Sequence, residues 1–138
     1  RALSASVAIE CRYGAERHLI MADPGQIRQA FANLIKNAIQ AMPQGGRLVV
    51  STDLVTKDQT DYLRVRIEDT GQGMDDEARK KAFQPYFTTK KEGSGLGLPI
   101  VERIVFDHNG SIWFETGQGR GTTFFVDLPA DRTLRNPS

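Results

Sequence analysis

The hydrophobic residues change their spacing once in the first half of the chain, from a helical period to alternation. With Ile27 at zero on a helical wheel, apolar side chains recur within about 80° of it as far as Met42. Asp23 followed by Pro24 is typical of a helix start. Two alternating segments come next, joined by the polar residues 56–61: Arg47–Leu54 and Leu63–Glu68. The pattern predicts one long helix followed by a β-hairpin.

The second half mixes shorter elements with one long segment that has no core-facing period. We expect a short helix over Asp75–Ala82, a loop over 83–97 and a helix over Leu98–His108 that ends at Asn109-Gly110. Strands are predicted over these segments: Val7–Arg12, His18–Met21, Ser111–Thr116 and Thr122–Leu128. A loop of about fifteen residues inside a domain is usually functional.

Length, charge and cysteine content restrict the class of protein. The 138 residues predict one domain over 1–129 with a polar tail over 130–138. A net charge of +1 argues against nucleic-acid binding, and a single cysteine, Cys11, excludes an internal disulfide framework. No apolar run approaches the roughly 20 residues of a membrane span. Because the first residue is Arg1, we expect a fragment of a longer protein.

Three features of the sequence could form a binding site, and each also has an explanation that involves only the fold. Asn33 and Asn37 lie one helical turn apart at the edge of the apolar stripe, where they form either a solvated edge or ligands for a hard cation. Asp69 continues the inward phase of Leu63, Val65 and Ile67, so its carboxylate needs a donor. That donor is either its own backbone in an Asx turn or an aromatic amine such as the amino group of adenine.

The third feature is the glycine-rich segment Gly93–Gly97, which opens directly into a helix. It does not follow a strand, so it is not a dinucleotide fingerprint. Free backbone N–H groups at a helix start suit phosphate. The flank before the segment is basic, with five cationic residues in the thirteen positions 79–91: Arg79, Lys80, Lys81, Lys90 and Lys91. The alternative is a flexible surface loop with solvated lysines.

Four motifs follow one another in a fixed order. They are N-L-I-K-N-A at Asn33–Ala38, D-T-G-Q-G-M at Asp69–Met74, F-Q-P-Y-F-T-T-K at Phe83–Lys90 and G-S-G-L-G-L at Gly93–Leu98. Together they resemble the ATP-binding catalytic domain of sensor histidine kinases, with an aromatic segment most similar to the branch that includes nitrogen-regulation sensor kinases. The resemblance implies an α/β fold: a two-layer sandwich of a mixed sheet and about three helices, shared with heat-shock chaperones, type II topoisomerases and mismatch-repair ATPases.

The resemblance also implies a role for each matching residue. Asn37 would hold Mg²⁺ bridging the phosphates of ATP, Asn33 would support the metal or phosphate site, and Asp69 would bind the adenine amino group. The other implied ATP-binding residues are Gly71, Gly73 and Thr122 around the base and Thr89, Lys90, Gly95, Leu96 and Gly97 around the phosphates, with 83–97 as a mobile lid. Many family members carry Lys three residues after the metal-binding Asn, where this chain has Gln40, so Lys90 or Lys91 is expected to contact phosphate instead.

The reaction expected from the resemblance is phosphoryl transfer to histidine. Hydrolytic members of this fold usually carry Glu where this chain has Asn33, and a carboxamide cannot accept a proton from water. An ATPase and a nucleotide-sensing module are the alternatives. Neither His18 nor His108 precedes an acidic residue, as the family's acceptor histidine does on its helical hairpin. The expected partners are therefore a histidine-bearing dimerisation domain of the parent kinase and a downstream response regulator, in the cytoplasm.

Overall fold

The computed structural model describes residues 7–13, 22–84 and 97–130, and within them three helices accompany one five-stranded sheet. The elements are β1 (Val7–Tyr13), α1 (Pro24–Gln40), β2 (Gly46–Lys57), β3 (Thr60–Asp69), α2 (Asp76–Lys81), α3 (Gly97–Asp107), β4 (Ser111–Gly117) and β5 (Gly121–Pro129). The strand order is β1-β2-β3-β5-β4, with β1 parallel to β2 and every other pair antiparallel. The α/β class and the mixed sheet predicted from the sequence are confirmed.

Several expectations fall on residues outside this description. They are the strand over His18–Met21, the lid residues 85–96 with Thr89, Lys90, Gly95 and Leu96, and the tail from residue 131 onward. No helix in the described part of the chain is long and apolar enough to cross a membrane.

Helix α1 begins where its sequence predicts and ends at Gln40, two residues before the predicted end at Met42. The Asp23 side chain accepts a hydrogen bond from Gln26 N at 3.1 Å, and Pro24 occupies the first turn, where a missing N–H costs nothing. His108, at the end of α3, accepts the Asp23 N–H at Nε2 (3.0 Å), while its Nδ1 lies 2.8 Å from Ile104 O. Because a carbonyl can only accept, Nδ1 carries the proton, and His108 ties the end of α3 to the start of α1.

The β2–β3 hairpin is longer than its polar sequence indicates. The predicted connection over 56–61 is wrong, because both strands continue until Lys57 pairs with Thr60 and only two residues turn the chain. Asp58 and Gln59 have positive φ angles of 50° and 67°, the geometry of a type I′ turn. This turn matches the twist of its strands, so polar residues continue the ladder on both sides of it.

One face of the sheet packs against α1 and α3 to form the core. Alternate residues of β3 and β5 point inward, and the fully buried side chains come from both layers: Leu34, Leu48, Ile67, Val101, Val105, Val126 and Leu128. Asp69 and Thr122 continue the same inward phases at the end of β3 and the start of β5. The core therefore places these two polar residues at its edge.

The opposite face of the sheet carries an ion-pair cluster. Arg64 donates two hydrogen bonds to Asp127, from Nε at 2.8 Å and from Nη2 at 2.9 Å, and Lys57 lies 2.7 Å from the same carboxylate. The Arg64 guanidinium also lies over the Trp113 ring, which stacks on Phe125 at 5.1 Å. Asp127 is fully buried, and these cations satisfy its charge.

Candidate functional site

The buried carboxylate of Asp69 lies at the centre of the candidate site. Asp69 is 5% exposed and pairs in register with Thr122 across β3 and β5. Its Oδ1 atom accepts two backbone hydrogen bonds, from Gly71 N at 2.8 Å and from Thr122 N at 3.2 Å. The bond from Gly71 is the Asx-type contact, and the bond from Thr122 adds a long-range anchor.

The second oxygen of Asp69 is available to a ligand. Both backbone donors use Oδ1, and no described residue donates to Oδ2. Burial raises the pKa of Asp69 above its ordinary value, although the bonds from Gly71 and Thr122 act in the opposite direction. An ionised, partly desolvated carboxylate with a free lone pair is a strong acceptor for an N–H donor.

The loop after β3 is fixed to the elements around it by backbone groups. Gln72 N donates to Ala41 O at the end of α1 (3.3 Å), and Gln72 O accepts from Gly119 N in the β4–β5 turn (2.7 Å). Thr70 Oγ1 accepts the Arg47 N–H at the start of β2, at 3.0 Å. The loop is therefore held from both sides, and it lies against the last turn of α1.

Glycine is required in this loop for packing. A Cβ on Gly71 would lie 2.5 Å from Ala41 O, and Gly73 has a φ of 72° and would place a Cβ 2.1 Å from Gly117 O. Both positions, which were predicted to line the base pocket, thus allow the backbone to approach its neighbours closely. Whether they also contact a base stays a prediction.

Two threonines follow Asp69 across the sheet, Thr122 on β5 and Thr116 on β4. Thr122 is 6% exposed, and its Oγ1 lies 2.8 Å from Thr116 Oγ1. Thr116 Oγ1 also accepts the Met74 N–H at 3.0 Å and lies 3.1 Å from Gly121 O. Sequence reasoning identified Thr122 and missed Thr116. The signal was present, because Thr116 follows Ile112 and Phe114 at the alternate positions of β4 that point toward the core.

The two asparagines of α1 lie on its half-buried flank. Asn33 and Asn37 are both intermediate in exposure, between the buried Leu34 and Ala38 and the exposed Lys36. Neither carboxamide hydrogen-bonds to a described residue, so within the described part of the chain neither oxygen is occupied. Asn37 precedes Ala41, which contacts the Asp69 loop, by one helical turn. This placement fits a Mg²⁺ ion, which binds hard oxygens, few of them from protein.

Gly97 begins α3 and is exposed. A Cβ added there would meet no atom within 4 Å, so packing among the described residues does not require glycine at this position. A helix start suits close approach of a phosphate to its backbone N–H groups. Asp69, Gly71, Gly73 and Thr122 lie together, while Asn33, Asn37 and Gly97 lie on the helices that cover the same sheet face.

The arrangement offers no conventional metal cluster. Across 7–13, 22–84 and 97–130, no group of three or more His, Cys, Asp and Glu side chains could hold a metal ion. A metal in this site would therefore depend on a carboxamide together with oxygens of its ligand.

Comparison with known proteins identifies the family. Residues 22–132 match the family described as "Histidine kinase-, DNA gyrase B-, and HSP90-like ATPase". The sensor histidine kinase ZraS of Escherichia coli is 37% identical over 131 residues, which are 94% of this chain and 27% of that protein. The chain spans between 14% and 28% of the length of eight curated relatives.

Solved structures give the same result. The nucleotide-free catalytic domain of histidine kinase ThkA superposes with a TM-score of 0.76 at 32% identity, covering 94% of this chain and 82% of that one. Full-length ShkA in complex with AMPPNP superposes with a TM-score of 0.76 at 25% identity, covering 96% of this chain and 27% of that one. The likeness to the nitrogen-regulation branch stays a prediction. The chain belongs to the histidine kinase-, DNA gyrase B- and HSP90-like ATPase family, and within it to the ATP-binding catalytic domains of sensor histidine kinases.

Proposed function

We propose that this domain binds Mg-ATP and transfers the γ-phosphoryl group to a histidine on a separate dimerisation domain of its parent kinase. The observation that carries the proposal is the buried Asp69, whose Oδ1 is saturated by two backbone donors while Oδ2 is left for a ligand. The exocyclic amino group of a purine is an N–H donor that Oδ2 could accept from. The parent would act in the cytoplasm on a response regulator.

The remaining roles follow the site from base to phosphate. Asp69 binds the adenine amino group, with Gly71, Gly73 and Thr122 around the base. Asn37 offers its carboxamide oxygen to Mg²⁺, and Asn33 supports the metal or phosphate site one turn earlier. The expected phosphate contacts are the backbone of Gly95, Leu96 and Gly97 and the side chains of Thr89 and Lys90, in a lid over 83–97.

The reaction requires the chain to position groups and neutralise charge. The bond between the γ-phosphorus and the β–γ bridging oxygen breaks, a bond from phosphorus to a histidine ring nitrogen forms, and ADP leaves. Bound Mg²⁺ supplies neutralisation of phosphate charge. Asn33 cannot act as a general base toward water, which favours transfer over hydrolysis. In the described residues His108 is committed to structural hydrogen bonds at both ring nitrogens, so it does not serve as acceptor.

A first experiment tests the nucleotide site. Asn37→Ala should raise the Kd for Mg-ATP by about tenfold, since a metal ligand is lost, and should change the Kd for ATP in excess chelator much less. Gln29→Ala removes an exposed carboxamide from the same helix and should change neither value. Equal affinity of wild type and Asn37→Ala for Mg-ATP would contradict the metal assignment.

A second experiment tests the reaction, with γ-labelled ATP and the parent's histidine-bearing helical hairpin, checked for folding. The chain alone should neither label itself nor hydrolyse ATP rapidly, and label should appear on the hairpin when it is added. Rapid hydrolysis without transfer would favour an ATPase, and binding with neither activity would favour a nucleotide-sensing module.

A further inference from the structure

The hydroxyl of Thr116 lies among three polar atoms next to the proposed base pocket. The Met74 N–H is 3.0 Å from Thr116 Oγ1, Gly121 O is 3.1 Å away and Thr122 Oγ1 is 2.8 Å away. Thr116 and Thr122 are register partners on β4 and β5. Thr122 in turn is the register partner of Asp69. A short polar relay therefore runs from the β3 loop through Thr116 to the pocket.

The number of protons limits the directions of the hydrogen bonds in this relay. A threonine hydroxyl has one proton and two lone pairs. Gly121 O can only accept, and the Met74 N–H fills one lone pair of Thr116. In the contact between Thr116 and Thr122, either hydroxyl could be the donor. When Thr116 donates to Gly121 O, Thr122 donates into the second lone pair of Thr116 and has no proton left for any other partner.

We propose that Thr116 donates to Gly121 O and is thereby a positioning residue that fixes the hydrogen-bonding polarity of the base pocket. By taking the Thr122 proton, it makes Thr122 Oγ1 an acceptor, so the pocket presents acceptors from both Thr122 and Asp69 Oδ2. Two acceptors favour a purine that carries an exocyclic amine over one that carries a keto oxygen at the same position. This inference rests on the proposed binding of ATP and adds the source of base selectivity.

The test measures the ratio of the Kd for Mg-ITP to the Kd for Mg-ATP. Hypoxanthine carries a keto oxygen where adenine carries the amine, and its N1 is protonated; the second difference is the same for wild type and variants. Thr116→Val keeps the shape of the side chain but releases the Thr122 proton, which can then be donated to a keto oxygen. The ratio should fall about three- to tenfold, the range of one neutral hydrogen bond. Thr123→Val, the next residue of β5 on the opposite sheet face, should leave the ratio unchanged.

A double variant separates this mechanism from general loosening of the site. In a Thr122→Val background there is no proton to release, so adding Thr116→Val should not change the ratio further. If Thr116→Val does not fold, Thr116→Cys replaces it, because a thiol is a weak acceptor and should lower the ratio in the same direction.

The outcomes separate this inference from the proposed function. Failure of the wild type to bind ATP would overturn both. A second outcome is that the wild type binds ATP and prefers it over ITP, and that Thr116→Val, or Thr116→Cys in its place, keeps the same preference. This result would overturn only the role of Thr116. If Thr116→Val lowers the Kd ratio equally in the wild-type and Thr122→Val backgrounds, the role of Thr116 is also overturned. A fall that requires Thr122 supports it.

Discussion

Asp69 serves the fold and the proposed ligand with different atoms of one carboxylate. Oδ1 joins the β3 loop to β5 through Gly71 N and Thr122 N, and Oδ2 accepts no bond from the described residues. An asparagine placed with its oxygen at Oδ1 would keep both backbone bonds. Its amide NH₂ would then occupy the position of Oδ2, where the amino group of the base needs an acceptor.

We therefore expect Asp69→Asn to fold and to bind ATP weakly. Loss of a charge-assisted hydrogen bond costs about 1.5–3 kcal/mol, or roughly ten- to a hundredfold in Kd, and preference for ATP over GTP should shrink. Because burial raises the pKa of Asp69, wild-type affinity should fall at milder acidity than an ordinary aspartate would require. Isothermal titration across pH checks this, with Asp69→Asn as the control for protonation of ATP itself. Unchanged ATP affinity in the variant would contradict the base contact.

The residue scale also shows what a sequence can and cannot predict. The inward position of Asp69 and the N-cap role of Asp23 follow from local periodicity and capping, and both are confirmed. The contacts of Thr116 and the pairing of Arg64 with Asp127 depend on strand register between segments far apart in the chain, in the latter case 63 residues. No local pattern encodes that register.

At the scale of elements, the helices and strands are predictable from periodicity, while the turn between β2 and β3 is not. Asp58 and Gln59 both adopt positive φ, although their side chains carry the cost of the left-handed region. The sequence lacks the Asn-Gly signal of a type I′ turn. The run of polar residues over 56–61 therefore predicts a longer loop than the one the structure has. The sheet context imposes the tight turn despite this local preference.

Gln59→Gly should therefore stabilise the domain. Glycine adopts a φ near 67° without steric cost, and relief of the strain at one exposed position is worth about 0.5–1 kcal/mol of unfolding free energy. Urea unfolding measures the change. Gln44→Gly, at an exposed position without positive φ, should destabilise or have no effect, and equal effects of the two substitutions would contradict the turn argument.

The proposed lid over 83–97 is a second prediction at this scale. Its two ends depart from the predicted loop, because Phe83 packs against the core beside Phe114 and Gly97 begins α3. For the residues between them, the glycines, the clustered lysines and the lack of apolar period predict few core contacts and low local stability, which a bound γ-phosphate should increase. Hydrogen exchange of the segment should slow with Mg-ATP and less with Mg-ADP. Strand β2 provides the internal control, since it holds no residue of the proposed site and its exchange should change little. Identical exchange of the segment with and without nucleotide would argue against a lid.

Over the whole molecule, the two faces of the sheet separate ligand binding from ion-pair stability. The face toward α1 and α3 carries the core and ends in Asp69 and Thr122. The other face buries Asp127 beneath Arg64 and Lys57. Burial alone would raise the pKa of Asp127, but the hydrogen bonds and charges of Arg64 and Lys57 lower it below its ordinary value. The two buried aspartates are thus shifted in opposite directions.

These shifts predict opposite effects on stability. The folded state favours ionised Asp127, so its contribution is complete above the ordinary pKa of 3.8 and is lost as the pH falls through the lower folded value. The folded state disfavours ionised Asp69, so its penalty is complete above the raised pKa and is relieved as the pH falls toward 3.8. At neutral pH, Asp127→Asn should lower the free energy of unfolding by roughly 1–3 kcal/mol, and Asp69→Asn should leave it equal or higher.

Urea unfolding without nucleotide, at neutral pH and below pH 3.8, measures both effects. Asp53→Asn is the control, because its pair with Arg66 spans 3.8 Å between side chains that are each 44% exposed and should contribute less than about 1 kcal/mol. The deficit of Asp127→Asn should shrink in acid, because the unfolded wild-type chain protonates this carboxylate below pH 3.8 and the folded protein follows at its lower pKa. A deficit that is constant with pH would mean that Asp127 acts through packing alone. If Asp69→Asn loses stability at neutral pH, the hydrogen bonds from Gly71 N and Thr122 N require a charged acceptor. Oδ1 could not then hold the fold in the variant while only the ligand contact of Oδ2 is lost.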